Sequence, residues 1–348
     1  MKTYRAVIVG LTGIGSNRPA EISDPVFGAM PPSHASAYHR HPQTEVVGIC
    51  DLRQDMLDGF VERWGDVWPD VNTYTDYREM FEKEQPDLIS VVTPDHVHAD
   101  VTVAAAESSA QAILCEKPIA TKLEDADRMI AAAEEQGVLL SIEHSRRWYP
   151  SYLKAREIIR SGEIGPLRTV VCEQFGERAM MFRNGTHLID LICFFSDAKP
   201  SWVVSDLEPG FEHFTEYKGA GGHDPAPDPF ASAYIYFDKG VRAFYNCRKM
   251  AFNGSKYSLT CENGRIEISD QQFAVITQRE PRWWSHAEIP IDDYMYTKQS
   301  GAVAELIHVL EKGGELVSPA SEARKTLQVM LGVLDSHHAG NVRVDLSP

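Results

Sequence analysis

The chain has 348 residues, 43% of them hydrophobic, and a formal net charge of −16; at roughly 100–200 residues per domain this predicts two domains with full cores. The acidic balance excludes a nonspecific nucleic-acid binder, which needs a basic footprint against phosphate. No apolar stretch reaches the roughly 20 residues of a membrane span, and the N-terminal run MKTYRAVIVG leads straight into a strand pattern, so no membrane partner and a cytoplasmic location are expected.

Residues 5–10, 45–51, 87–93, 112–115 and 138–142 read as buried strands, with helical patterns at 54–64, 76–84, 98–110 and 122–136. Apolar runs alternating with amphipathic helices predict a parallel α/β sheet. After about residue 150 the pattern changes. A helix at 151–161, a strand at 167–174 and a helix at 186–195 precede strand candidates at 201–206, 231–237, 241–248, 256–261, 265–269 and 272–277. Helices near 301–312 and 320–337 follow. Strands in succession with helices set apart predict an α+β domain on a mostly antiparallel sheet. Two Pro/Gly-rich segments, 16–33 and 208–229, are long enough to suggest functional or mobile loops, surface decoration being the alternative. The six cysteines are scattered, form no CxxC pair, and read as buried reduced thiols. No HExxH or comparable spacing points to a metal.

The first strand ends in Gly10-Leu11-Thr12-Gly13-Ile14-Gly15, a G-x-G-x-x-G pattern with Thr12 at the second glycine. The first glycine permits the tight turn, the second lets backbone approach a pyrophosphate, and the third allows close helix packing. The threonine departs from this, although its hydroxyl can itself meet a phosphate. Asp51 ends the second strand, where an acid accepts from the adenosine ribose diol and repels a 2′-phosphate. That favours NAD. Arg53, two residues on, is suited to a 2′-phosphate and keeps NADP open.

Two further runs carry a resemblance: Thr93-Pro94-Asp95-His96-Val97-His98 after the third strand and Cys115-Glu116-Lys117-Pro118 after the fourth. With Arg147-Trp148-Tyr149-Pro150 and Gly185-Thr186-His187-Leu188-Ile189-Asp190, the chain resembles the Gfo/Idh/MocA family of oxidoreductases. The resemblance implies an NAD(P)-binding Rossmann domain, placed at 1–121. An α+β domain at 122–348 follows, whose large open sheet binds substrate and mediates a homodimer or homotetramer. It implies an NAD(P)-dependent dehydrogenase acting on a hydroxyl or keto carbon of a sugar, sugar acid or cyclitol. A glycoside-cleaving enzyme with tightly held NAD and a non-catalytic sensor are the alternatives. Thr93, Pro94, Asp95, His98, Glu116 and Lys117 join the glycine turn, Asp51 and Arg53 at the cofactor; for His98, packing or capping at the helix start is the other reading. Lys117, Arg147, Trp148, Arg183, Asn184 and His187 are expected at the substrate; for Arg147 a structural salt bridge is the other reading.

Oxidising an alcohol requires a base for the hydroxyl proton and an acceptor for the hydride. Lys117, just past a strand's carboxyl end, can stabilise the developing alkoxide. A histidine side chain is suited to proton transfer near neutral pH, which makes His187 the candidate acid/base. The two are expected to meet at the cleft between the domains. Many relatives carry an aspartate four residues before this histidine; here that position is Arg183, which suits a substrate bearing a carboxylate, phosphate or nucleotide.

Overall fold

In the computed structural model the described residues are 2–19, 33–219, 224–269, 272–280, 283–290 and 296–346. Parts of both Pro/Gly-rich segments, 20–32 and 220–223, lie outside them. The chain opens with β1 (Tyr4–Val9), α1 (Gly13–Ser16), α2 (His34–Arg40), β2 (Thr44–Cys50), α3 (Gln54–Trp64), β3 (Asn72–Tyr74), α4 (Tyr77–Glu84) and β4 (Leu88–Val91). Then follow α5 (His98–Ala106), β5 (Ala112–Cys115), α6 (Leu123–Gln136) and β6 (Leu139–Ile142). The next stretch contains α7 (Pro150–Ser161), β7 (Leu167–Phe175), α8 (Thr186–Ser196), β8 (Pro200–Leu207), β9 (Ala231–Phe237) and β10 (Arg242–Arg248). The last contains β11 (Gly254–Cys261), β12 (Gly264–Ser269), β13 (Phe273–Glu280), β14 (Trp283–Glu288), α9 (Lys298–Lys312), α10 (Ala320–His338) and β15 (Val344–Asp345).

Contacts divide the chain into two compact units, residues 1–148 with 293–321 and residues 149–292 with 322–348. The first holds a six-stranded sheet in the order β3-β2-β1-β4-β5-β6, every neighbouring pair parallel. This is the doubly wound dinucleotide-binding order. β4 and β5 are buried along their whole length, as strands covered on both faces must be. The boundary expected at 121/122 differs from the division found. α6 and β6 stay with the first unit because β6 pairs with β5. α9 returns to it, with Ala302, Val303, Leu306 and Ile307 in a core that also takes Tyr38, Phe60, Trp64 and Trp148. Each of the larger aliphatics there contributes roughly 1.5–3 kcal/mol by burial.

The second unit is built on a nine-stranded sheet, β14-β13-β12-β11-β7-β10-β9-β8-β15. β7 and β10 run parallel, and the other pairs are antiparallel. Burial alternates along these strands: Ala233, Ile235 and Phe237 on β9 and Ala243 and Tyr245 on β10 are buried. The opposite face carries a ring ladder, with Trp202 stacked on Tyr236 at 5.2 Å and Tyr234 on Phe244 at 5.0 Å between centroids.

The strands β3, β14 and β15 lie outside the expected list, and each is a sheet edge. An edge strand is paired on one side only and carries little continuous apolar signal; Asn72 and Thr73 of β3 are exposed. The helix expected over 98–110 stops at Ala106, where the Ser108 hydroxyl donates to the Ala105 carbonyl at 2.6 Å and competes with the helical ladder. Among the described residues no helix is long and apolar enough to cross a membrane. All six cysteines are buried and free.

Candidate active site

The turn after β1 is shaped by two glycines for different reasons. Gly10 sits at φ +96°, and a Cβ there would lie 2.4 Å from the Val92 carbonyl oxygen; both facts require glycine. At Gly15 space alone decides, since a Cβ would lie 2.3 Å from the Gly10 carbonyl oxygen. Thr12, at the second glycine position, has φ −63° and ψ 174°, extended backbone open to any residue, so the departure costs no strain. The side chains of Thr12 and Ile14 are exposed, whereas Leu11 is buried. Asp51 closes this turn from the end of β2. One carboxylate oxygen accepts the Leu11 amide at 3.0 Å and the other accepts the Arg53 amide at 3.0 Å. The exposed Arg53 guanidinium is engaged by Asp55, with Nε 3.0 Å from Oδ1.

At the ends of β4 and β5, two runs converge around His98. This ring is fully buried, with Nδ1 2.9 Å from the Pro118 carbonyl oxygen and Nε2 2.9 Å from that of Thr93. His98, expected at the cofactor, is therefore a buried tie between the two loops. Asp95 is buried one turn before it, whereas Pro94 is exposed. The Thr93 hydroxyl is buried without a hydrogen-bond partner. Glu116 also turns inward: Oε1 lies 3.3 Å from Nε2 of the buried His34, while Oε2 accepts the Lys117 amide at 3.2 Å. His34 Nδ1 lies 2.9 Å from the Ser90 hydroxyl, and Tyr38 joins the same hydroxyl at 2.8 Å. Burial pushes the Glu116 carboxyl up, but His34 and Lys117 outweigh it and hold it below the usual range. Lys117 itself is partly exposed.

Behind this turn lies a group that sequence reasoning missed. Glu143, at the end of β6, is 1% exposed with neither carboxyl oxygen hydrogen-bonded. Burial, followed by the charges of Glu116 and Glu305, raises its pKa well above the ordinary value. Glu305 on α9 is pushed up to about 7, chiefly by burial, although one oxygen accepts the Val317 amide at 3.0 Å.

Two expected substrate residues are core residues instead. Arg147 is 0% exposed and donates to the Val317 carbonyl at 2.8 Å. Trp148 is buried against Gly301, where any Cβ would lie 2.8 Å from that of Trp148. Their position in the 3-10 turn 145–148 aims both into the first unit.

In the second unit, Arg183 and Asn184 lie in a wide turn, Met181–Gly185, that runs into α8. His187 is the second residue of α8 and half-buried; Asp190, one turn on, is fully buried and accepts from Thr326 at 3.2 Å. Gly185 is fixed by Tyr245, whose Oη would lie 2.1 Å from a Cβ there. Asp228, missed in the sequence, caps this turn by accepting the amides of Phe182 at 3.2 Å and Arg183 at 2.9 Å. Burial raises its pKa to about 6 against the opposing pull of those amides, Lys249 and Arg183. Arg183 and Asp228 share the wall of a cavity of about 660 Å³ with Phe211 and Tyr217. Among the described residues no cluster of His, Cys, Asp and Glu is arranged to hold a metal ion.

Residues 26–144 match the family model described as an oxidoreductase family with an NAD-binding Rossmann fold. The chain is 28% identical over 164 residues to inositol 2-dehydrogenase of Salmonella typhimurium, covering 47% of this chain and 43% of the relative. It is 28% identical over 134 residues to D-glucoside 3-dehydrogenase of Escherichia coli, covering 38% and 37%. The match thus spans less than half the length of either relative. Levoglucosan dehydrogenase, solved with NADH and L-sorbose, superposes over 100% of both chains with a TM-score of 0.80 at 17% identity, a likeness of fold. Over residues 26–144 this chain is thus similar to the Gfo/Idh/MocA oxidoreductases.

Proposed function

We propose that the protein is an NAD-dependent dehydrogenase acting on a CH–OH group of a sugar, sugar acid or cyclitol. The observation that carries the reading is the glycine turn closed by Asp51, at the carboxyl end of a parallel sheet in the order β3-β2-β1-β4-β5-β6. Ligands of such sheets bind outside the strand ends. Gly10 to Gly15 would receive the pyrophosphate and Asp51 the adenosine ribose. Arg53, held by Asp55, leaves NAD favoured over NADP. Bound NAD supplies the hydride acceptor. Lys117 would bond the reacting hydroxyl and stabilise the alkoxide charge that develops on it. His187 would exchange the hydroxyl proton, and Arg183 and Asn184 would orient the substrate. The names of the relatives, inositol, glucoside and levoglucosan dehydrogenases, support a polyol substrate. The ring ladder of β8, β9 and β10, with Phe244 exposed and Trp202, Tyr234 and Tyr236 half-buried, supports a homo-oligomer, because apolar patches of this kind mark interfaces; light scattering showing a monomer would remove that part.

The test is a panel of inositols, glycosides, aldoses and sugar acids, followed by nicotinamide absorbance with NAD and NADP. Turnover of a polyol with NAD is expected. Lys117→Ala and His187→Ala should each lose about 10²–10⁴-fold in kcat while binding NAD normally. Full activity in either variant would remove that residue from the mechanism. Aglycone release without net nicotinamide reduction would instead identify the glycoside-cleaving chemistry.

A further inference from the structure

We propose that His98 is a buried imidazolium whose two N–H groups donate to the carbonyls of Thr93 and Pro118, making it the positioning residue of the Lys117 turn. The chemistry of the contact requires this charge. Both partners are carbonyl oxygens at 2.9 Å, and a carbonyl only accepts. A neutral imidazole has one N–H and one lone pair, so it would aim that lone pair at an oxygen with no water to intervene. Only the doubly protonated ring satisfies both contacts.

The surroundings sustain the charge. The titratable groups facing the ring are Asp95, on the 3-10 turn that precedes α5, and Cys115, at the end of β5. Burial works against the charge, but Cys115, Asp95 and the Pro118 carbonyl outweigh it, and the pKa rises to about 9. The Cys115 thiol itself donates to the Glu116 carbonyl at 3.4 Å.

The placement gives the tie its purpose. Thr93 follows β4 and Pro118 follows β5, so one ring joins the carboxyl ends of two adjacent strands. Lys117 sits between that tie and the inward-turned Glu116, which takes its amide at 3.2 Å. The lysine backbone is thereby fixed on both sides while its side chain stays partly exposed. The positioning role rests on the assignment of Lys117 proposed above; the protonation state does not.

The test uses the full chain labelled with ¹⁵N-histidine, His98 being assigned by through-bond correlation to its own backbone. Both ring nitrogens should report N–H at about pH 7.5 and lose the second proton only near pH 9. A single protonated nitrogen at about pH 7.5 would overturn the proposal. In parallel, His98→Gln keeps an amide donor and removes the charge. Its kcat should fall by about 10–100-fold with the Kd for NAD changed less than about threefold. An unchanged kcat would overturn the positioning role, and loss of NAD binding would place the ring in the service of the cofactor instead. Failure of the functional reading has a separate signature: Lys117→Ala would keep full turnover while the His98 spectrum still showed the imidazolium.

Discussion

The amide of Leu11 meets the carboxylate of Asp51 at 3.0 Å, a charge-assisted hydrogen bond that joins the turn after β1 to the end of β2 beside the backbone bond from the Gly10 amide to the Cys50 carbonyl. The same carboxylate is the proposed reader of the ribose. Asp51→Ala is therefore expected to weaken NAD binding by about 10–100-fold and to weaken NADP binding less, narrowing the gap between them. Titration of both cofactors against the variant measures this. An unchanged ratio would take Asp51 out of the cofactor site.

Two glycines of the turn after β1, Gly13 and Gly15, differ sharply in what an added methyl would meet. At Gly15 it meets the Gly10 carbonyl at 2.3 Å, which is backbone and can yield only if the turn moves. At Gly13 it meets the Asn17 side-chain amide at 2.9 Å, which can swing away. Gly15→Ala should cost about 2–4 kcal/mol in denaturant unfolding, whereas Gly13→Ala should stay within about 1 kcal/mol of the parent. Equal losses at the two positions would contradict this reading of the turn.

Glu143 predicts a pH-dependent gain. Its folded-state pKa is raised well above the ordinary value, first by burial. Stability from such a group is fully present below the unfolded pKa of about 4.3 and is lost as pH rises through the folded value. Glu143→Gln removes the ionisation and should be more stable than the parent by roughly 1–3 kcal/mol at about pH 8, with the difference vanishing near about pH 4. Denaturant melts at both pH values check the sign. A variant less stable at the higher pH would mean that the carboxylate has a compensating partner.

What the sequence discloses here follows from how local each signal is. β4 and β5 are legible because four consecutive residues in each are buried, and the glycine turn because its spacing is fixed by backbone sterics. The pairing of His34 with Glu116 joins residues 82 positions apart, and the cap of Asp228 on Arg183 joins residues 45 apart. No periodicity encodes either. In Arg146-Arg147-Trp148 the residue types are those of a binding site, yet Arg147 is fully buried while Arg146 is half-buried. Only the path of the 3-10 turn decides which arginine enters the core. The domain boundary misled for a related reason: a parallel sheet does not end where its motifs end, and β6 adds one more strand after the Lys117 turn.

The return of α9 to the first unit bears on the order in which the protein can be made. When residues 1–148 have left the ribosome, all six strands of the parallel sheet exist, but the places of Ala302, Val303, Leu306 and Ile307 beside Trp148 and Tyr38 are still vacant. The helix that fills them emerges only after every strand from β7 to β14. The half of the chain synthesised first is thus among the last to finish folding, and its apolar flank stays open to chaperones or to other nascent chains for most of translation.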